Sequence, residues 1–224
     1  MERHFDTELN QLKEKLLKMA GMVEEAVSLS IKALVDRDEA LAQQIIKEDQ
    51  AINRMEIDID EMAFKLLALH QPTAVDLRFI IMALRINTDL ERMGDLSVNI
   101  SERTLDLLKE PLLKPLIDIP RMATMAQKMV KDSLDAFVNK DPELARSVCK
   151  RDDEVDNLNV QIFRELLTYM IGDAQTIKRA IDLILVAKHL ERIADHATNI
   201  GEDVVYLVKG KSIKHRVYEK TEQL

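Results

Sequence analysis

Hydrophobic positions recur along the chain at steps of three and four residues, in six runs separated by short polar or proline-containing breaks. In the first run, from about Asp6 to Val35, Leu9, Leu12, Leu16, Met19, Val23, Ala26 and Leu34 make one stripe with a gap at Ser30. Such a stripe is the face of a helix laid along a bundle. Asp38 is placed to cap a second helix carrying Leu41, Ile45, Ile52, Ile59, Met62, Leu66 and Leu69. His70-Gln71-Pro72 breaks that helix. Thr73 and Asp76 approximate a capping box at the head of a third, which reaches about Leu108. Prolines at 111, 115 and 120 mark a linker. The pattern then restarts with Met122, Met125, Met129, Ala136 and Phe137 on helix four, where the methionines sit at core spacing. Asp141-Pro142 opens helix five, which holds Leu144, Val148, Val155, Leu158, Ile162, Leu166 and Tyr169. Ile171-Gly172-Asp173 closes it, and a sixth helix runs to Lys209 before Gly210.

The two halves repeat each other. DEALAQQIIKED (38–49) parallels DPELARSVCKRD (141–152), and NTDLERMGDLSVNISER (87–103) parallels KHLERIADHATNIGEDV (188–204). The expectation is therefore an all-α fold of two tandem three-helix up-down bundles related by a pseudo-two-fold axis. The first unit spans 1–110, the linker 111–120, the second unit 121–210 and a solvated tail 211–224. Helices of ~30–35 residues at 1.5 Å rise would make bundles ~45–50 Å long.

In the third and sixth helices the core stripes are Ala83, Ile86, Leu90, Met93, Ser97, Ile100, Thr104, Leu107 and Leu183, Val186, Leu190, Ile193, Ala197, Ile200, Val204, Leu207. A second stripe lies one residue further along, ~100° around each helix. It carries Glu91, Asp95, Asn99 and Glu102 in one copy and Glu191, Asp195, Asn199 and Glu202 in the other. Glu91 and Asp95 are four apart and share a face, as do Glu191 and Asp195. Two like charges at that spacing repel unless a cation, a proton or an arginine lies between them. Counting outward from the turns sets Asp49 opposite about position 94, Asp152 opposite about 192 and Asp156 opposite about 188. Each bundle then gathers an acid of its middle helix with the E-x-x-x-D pair of its third. Oxygen-rich clusters of this kind suit hard or borderline cations such as magnesium, manganese or iron, and suit tetrahedral zinc less. A solvated salt-bridge network is the competing reading, since Arg92, Arg192 and Arg54 adjoin the acids. His196 follows Asp195 but points elsewhere.

Composition narrows the function. The 224 residues carry a net charge of −8, which opposes a generic grip on nucleic-acid phosphate. No apolar run is long enough to span a bilayer, and the charged N-terminus does not resemble a signal peptide. One cysteine, Cys149, reads as a small buried residue in a reduced, cytoplasmic protein. Carboxylate-bridged oxidases present Glu-x-x-His on inward faces, and neither ERMGD nor ERIADH contains it. No phosphate loop or nucleophile elbow is present. The expectation is a non-enzyme, with a metal-dependent hydrolase or oxidase of the carboxylate-bundle type as the catalytic alternative.

QPTAVDLRFI, NTDLERMGDLSVNI and LERIADHATNI together resemble the PhoU family, across residues 5–209. The resemblance implies two three-helix bundles, each with a surface site for divalent or ferric ions such as iron or zinc, centred on Glu91 and Asp95 and on Glu191 and Asp195. It implies a negative regulator of the phosphate-starvation response. The implied partners are the ATP-binding subunit of a phosphate ABC transporter and a sensor histidine kinase, with the membrane approached only through them. An adaptor of another transporter is the alternative within the family. A homodimer is the expected assembly, although no residue pattern carries it, and the groove between repeats could seat a partner helix. The second half departs from the family pattern, reading IGDAQTIKRA in place of the Q-P-x-A-x-D-L-R turn. Asn53 stands where Asp156 stands in the other copy, and Asn159 where Glu56 does. The two sites should therefore differ in affinity or metal count.

Overall fold

The computed structural model describes residues 2–211 and 213. Six α-helices account for the architecture: α1 (Glu2–Asp36), α2 (Glu39–His70), α3 (Ala74–Leu108), α4 (Asp118–Asn139), α5 (Pro142–Gly172) and α6 (Ile177–Lys209), with a 3-10 turn over Ala174–Thr176. No strand occurs among the described residues, and no helix there is long and apolar enough to cross a membrane.

The helix ends explain the internal symmetry. Arg37 and Lys140 both adopt the left-handed conformation, at φ 55° and 52°. The next residue, Asp38 or Asp141, donates its N–H to the carbonyl of Ala33 or Ala136 at 2.9 Å, which closes the preceding helix. The same aspartates then turn their carboxylates to the following helix. Asp38 Oδ1 accepts from Leu41 N at 3.0 Å, and Asp141 Oδ1 from Glu143 N and Leu144 N at 2.9 and 3.0 Å. A left-handed non-glycine residue costs about 1–2 kcal/mol, and the two closures offset it. Ser30 and Ser133 are both buried and donate to carbonyls three residues back, so the gap in the first stripe is a satisfied core hydroxyl.

Four details differ from the sequence reading. Thr73 does not cap α3 by its side chain; its hydroxyl donates to Asp76 Oδ2 at 3.1 Å, so the box is closed on itself. Helix α4 starts at Asp118, inside the segment read as linker, and has 22 residues. Pro120 falls in its first turn, where a missing N–H costs nothing. Leu69 is exposed, because the stripe steps from Leu66 to His70, whose ring lies 2.8 Å from Glu8 and against Phe5. In the segment read as a solvated tail, Ile213 packs against the core; the rest beyond Lys211 lies outside the described residues.

Packing builds two layers. α3 and α6 lie side by side and antiparallel at the centre, flanked by α2 and α5, with α1 and α4 behind. Both core stripes of α3 and α6 are buried along their whole length. Burying a Leu, Ile or Met contributes about 1.5–3 kcal/mol, so this seam stabilises the fold together with the buried stripes of the other four helices. Gly201 permits the close approach of α5 to α6: an added Cβ would lie 3.0 Å from the Ala145 carbonyl oxygen. Two buried acids clamp the halves together. Asp182 accepts from Arg103 at 3.2 Å and Asp203 from Arg85 at 3.3 Å. The arginines stay partly open to water while the acids are buried, so each pair ties α3 to α6 by a charge-assisted hydrogen bond at a fixed level.

Candidate functional site

The grooves between α2 and α3, and between α5 and α6, each hold a row of carboxylates. Antiparallel packing produces them: residues level with each other about a tight turn meet, and both rows sit one step off the core stripe. Gly94 confirms the level in the first groove, since a Cβ there would lie 3.3 Å from Asp49 Oδ1.

The first groove brings Asp49 and Glu56 of α2 to Glu91 and Asp95 of α3. Asp49 Oδ2 accepts from Asn53 at 2.8 Å, whereas Oδ1 is buried with no hydrogen-bond partner. Burial pushes the Asp49 carboxyl up, Asn53 opposes this, and the Asp95 charge adds to it. Glu91 is likewise raised by burial and then by Asp95, against the pull of Arg92. Arg92 lies 3.5 Å from both Glu91 Oε2 and Asp95 Oδ2, so one guanidinium bridges the pair. Glu56 is raised by burial and by Asp60. Asn87 fixes this stretch of α2, donating to the Glu56 carbonyl at 3.0 Å and to Asp60 at 2.9 Å.

The second groove brings Asp152 and Asp156 of α5 to Glu191 and Asp195 of α6. Burial raises Asp152 and Asp156, with the Asp156 charge acting on Asp152 and Glu191 on Asp156. Asp195 is pushed up to about 6, by burial and then by Glu191, Asp152 and Asp156. Asp195 nevertheless presents an exposed edge, and water there softens the repulsion. Lys188 Nζ reaches Glu191 Oε1 at 2.5 Å, leaving Oε2 buried without a partner. Asp152 Oδ1 is also buried without a partner.

The remaining residues of the acid stripe lie apart. Seven residues at 1.5 Å rise put Glu102 and Glu202 about 10 Å beyond Asp95 and Asp195. Glu102 is exposed, Asn99 is half-buried, and the Glu202 charge acts on Cys149 instead. Asn199 turns toward the central seam, where its Nδ2 lies 3.4 Å from Asp89 Oδ1 beside His196 at 2.8 Å. Cys149 is an inert thiol, pushed up to about 12 by burial. Glu56 and Lys188 belong to the grooves and were not among the expected site residues. Glu56 could have been found, because positions 49, 53 and 56 follow i, i+4, i+7 on one face of α2.

Among the described residues, no three His, Cys, Asp or Glu side chains converge tightly enough to hold an ion as they stand. The donor chemistry nonetheless suits a hard cation. The donors are carboxylate oxygens, burial raises the Asp49 and Asp195 carboxyls, and three buried carboxylate oxygens, on Asp49, Asp152 and Glu191, lack partners.

Comparisons with known proteins agree with this architecture. The PhoU domain family model matches residues 16–104 and again 119–204, one match per bundle. The phosphate-specific transport system accessory protein PhoU homolog of Aquifex aeolicus is 44% identical over 216 residues, covering 96% of this chain and 98% of that protein. The crystal structure of PhoU from Pseudomonas aeruginosa superposes with a TM-score of 0.90 at 41% identity, covering 92% of this chain and 100% of that one. The phosphate transport system regulatory protein PhoU from Streptococcus pneumoniae gives 0.87 at 33% identity, covering 94% and 99%.

Proposed function

The chain belongs to the PhoU family, and on that premise we propose that it is a non-catalytic regulator of phosphate uptake. In this reading it acts from the cytoplasm beside a phosphate transporter, reaching the membrane only through its partners. It links the ATP-binding subunit of a phosphate ABC transporter to a sensor histidine kinase and restrains the phosphate-starvation response when phosphate is plentiful. The observation that carries the reading is the duplicated PhoU match, one per bundle, over a structure that superposes on PhoU from Pseudomonas aeruginosa.

An adaptor needs surface to give away, and this one repeats its exposed apolar residues in both halves. Ile57 matches Val160 and Phe64 matches Leu167 on α2 and α5; Leu77 matches Ile177 and Ile81 matches Ile181 on α3 and α6. All eight are exposed. Partner proteins cover such patches. The metal part of the reading places cations in the two grooves. Glu91, Asp95 and Asp49 would hold one, with Glu56 beside them. Glu191, Asp195, Asp152 and Asp156 would hold the other. Bound cations would relieve the repulsion within each row and hold the flanking helices together.

Alkaline phosphatase activity in the native host, grown in excess phosphate, tests the regulatory claim. Deletion of the gene should raise it strongly, and the intact gene should restore repression. Unchanged activity, with a reporter known to respond in that host, would refute the restraint of starvation signalling.

A further inference from the structure

Where the first turn of α1 meets the last turn of α2, two imidazoles converge on one carboxylate. The helices are antiparallel and in register there: Lys15 lies 3.1 Å from Asp58, and Lys65 lies 3.1 Å from Glu8. His4 and Glu8 are four apart and share the α1 face turned to α2. His70 is the last residue of α2. Its Nε2 lies 2.8 Å from Glu8 Oε2, and His4 Nε2 lies 3.8 Å from Glu8 Oε1. The ring centroids of His4 and His70 are 6.4 Å apart, edge to face. The first acid groove is far away, because the helix rise puts Glu56 ~20 Å back along α2 from His70.

Part of the cluster is fixed and part is free. The side chains of Glu8 and His70 are only 12% and 14% exposed, and Phe5 packs on the His70 ring at 5.1 Å. His4 is 77% exposed. Hydrogen bonds from Lys65 and His70 hold the Glu8 carboxyl below its ordinary value, so it stands ready as an ionised ligand. Lys65 is itself exposed, and its ammonium group can turn out to water when another cation takes its place. The second bundle has no such cluster. By the offset that matches Ser30 to Ser133, the counterparts of His4, Glu8 and His70 are Leu107, Pro111 and Asp173, and α4 begins only at Asp118.

Two imidazole nitrogens and a carboxylate are a donor set for borderline divalent cations such as zinc, whereas hard cations prefer the all-oxygen grooves. Tetrahedral ligands of zinc stand ~3.4 Å from one another. The two nitrogen–oxygen separations, 2.8 and 3.8 Å, bracket that spacing. Rings bound to one zinc have centroids ~5 Å apart, so the pair must close by about 1 Å. Rotation of the exposed His4 side chain supplies that closure. We propose that His4, Glu8 and His70 form a zinc site, with water as the fourth ligand, that clips the head of α1 to the end of α2. It depends neither on the groove cations nor on the regulatory reading.

Titration of Zn²⁺ into the untagged, chelator-stripped full chain, followed by ¹⁵N–¹H NMR of the imidazoles, tests this. The ring signals of His4 and His70 should shift together and saturate, and Mg²⁺ should leave both in place. His4→Gln alters an exposed residue, and zinc binding read at His70 should weaken at least about tenfold. Glu8→Gln should weaken it as much. Glu91→Ala/Asp95→Ala and Glu191→Ala/Asp195→Ala should leave the imidazole shifts intact. Absence of saturable shifts, a shift of His70 without His4, or full zinc binding by His4→Gln would overturn the proposal and leave a hydrogen-bonded latch. Loss of the shifts in either groove variant would overturn it also, by assigning the zinc to that groove.

Discussion

The two carboxylate grooves are copies of one design, and they handle their charge differently. In the first, Arg92 bridges Glu91 and Asp95, and an amide, Asn53, takes the place on the middle helix next to Asp49. In the second, that place is held by Asp156, and Lys188 reaches only Glu191. The consequence is a carboxyl at Asp195 raised to about 6, while the first groove carries its repulsion alongside an internal cation. Burial does most to raise Asp195, Glu191 and Asp152 follow, and Asp156 adds the least, so the Asn-to-Asp difference is one contributor among several. Duplication supplied the geometry; single substitutions on α2 and α5 tuned the electrostatics.

The largest expected effect comes from removing the pairs themselves. Glu191→Ala/Asp195→Ala should abolish metal retention by the second groove, and Glu91→Ala/Asp95→Ala by the first. Elemental analysis of protein purified without chelators reads both, and equal metal in variant and parent would remove that groove from the account. Loss of the second site should also forfeit the heat stability that saturating metal gives, about 2.7 kcal/mol at a hundredfold excess over the dissociation constant.

Exchange of the distinguishing residue should convert one groove into the other. Asp156→Asn should weaken Mn²⁺ binding in the second groove about tenfold, or about 1.4 kcal/mol, and Asn53→Asp should strengthen it in the first by a similar factor. Competition titration against a fluorescent chelator measures both. If neither substitution changes affinity, the difference between the grooves lies elsewhere.

A smaller effect follows from protonation. Asp195 titrates near 6 in the folded chain, against an ordinary value of 3.8. Its ionisation therefore opposes folding. The favourable contribution is full below about pH 4 and is lost as pH rises through about 6. Because Asp195 is partly open to water, the loss should be about 1 kcal/mol and not the full value of the shift. The metal-free protein should thus become less stable between about pH 4 and pH 6, and Asp195→Asn should flatten that profile. Urea denaturation at a series of pH values checks it; a profile unchanged by the substitution would contradict the raised carboxyl.

The smallest effect is expected at Arg92. Arg92→Ala should cost about 0.5 kcal/mol of stability, as exposed ion pairs do, and raise Mn²⁺ affinity in the first groove a few-fold by removing the competing cation. Lowered affinity would show instead that the guanidinium positions the acids for the metal.

Much of this was legible in the sequence, for physical reasons that also mark the limits. Asp38 and Asp141 declared their helix starts because a carboxylate before an apolar run has one efficient use. The level of Asp49 with position 94 followed from a tight turn and equal rise on both sides. The core stripes of α3 and α6 were complete because a central helix is buried along its length. Where tertiary contacts decided, local pattern failed. Leu69 and His70 exchanged places because Glu8 and Phe5 of another helix favoured the imidazole. Asn199 shared a helical face with Asp195, yet it found Asp89 across the seam, a partner no single-helix argument contains. Pro120 looked like linker because proline breaks helices, but in a first turn it does not. Glu56 was visible as the counterpart of Asn159 and lacked only the recognition that its face already carried Asp49.

The proposal that the grooves are two unequal cation sites is tested most directly by calorimetric titration of Mn²⁺ into the chelator-stripped chain. The predicted isotherm has two phases, the tighter one lost in Glu191→Ala/Asp195→Ala and the weaker one in Glu91→Ala/Asp95→Ala. A single phase of equal sites would contradict the difference drawn between the bundles, and no heat of binding at all would contradict cation binding by either.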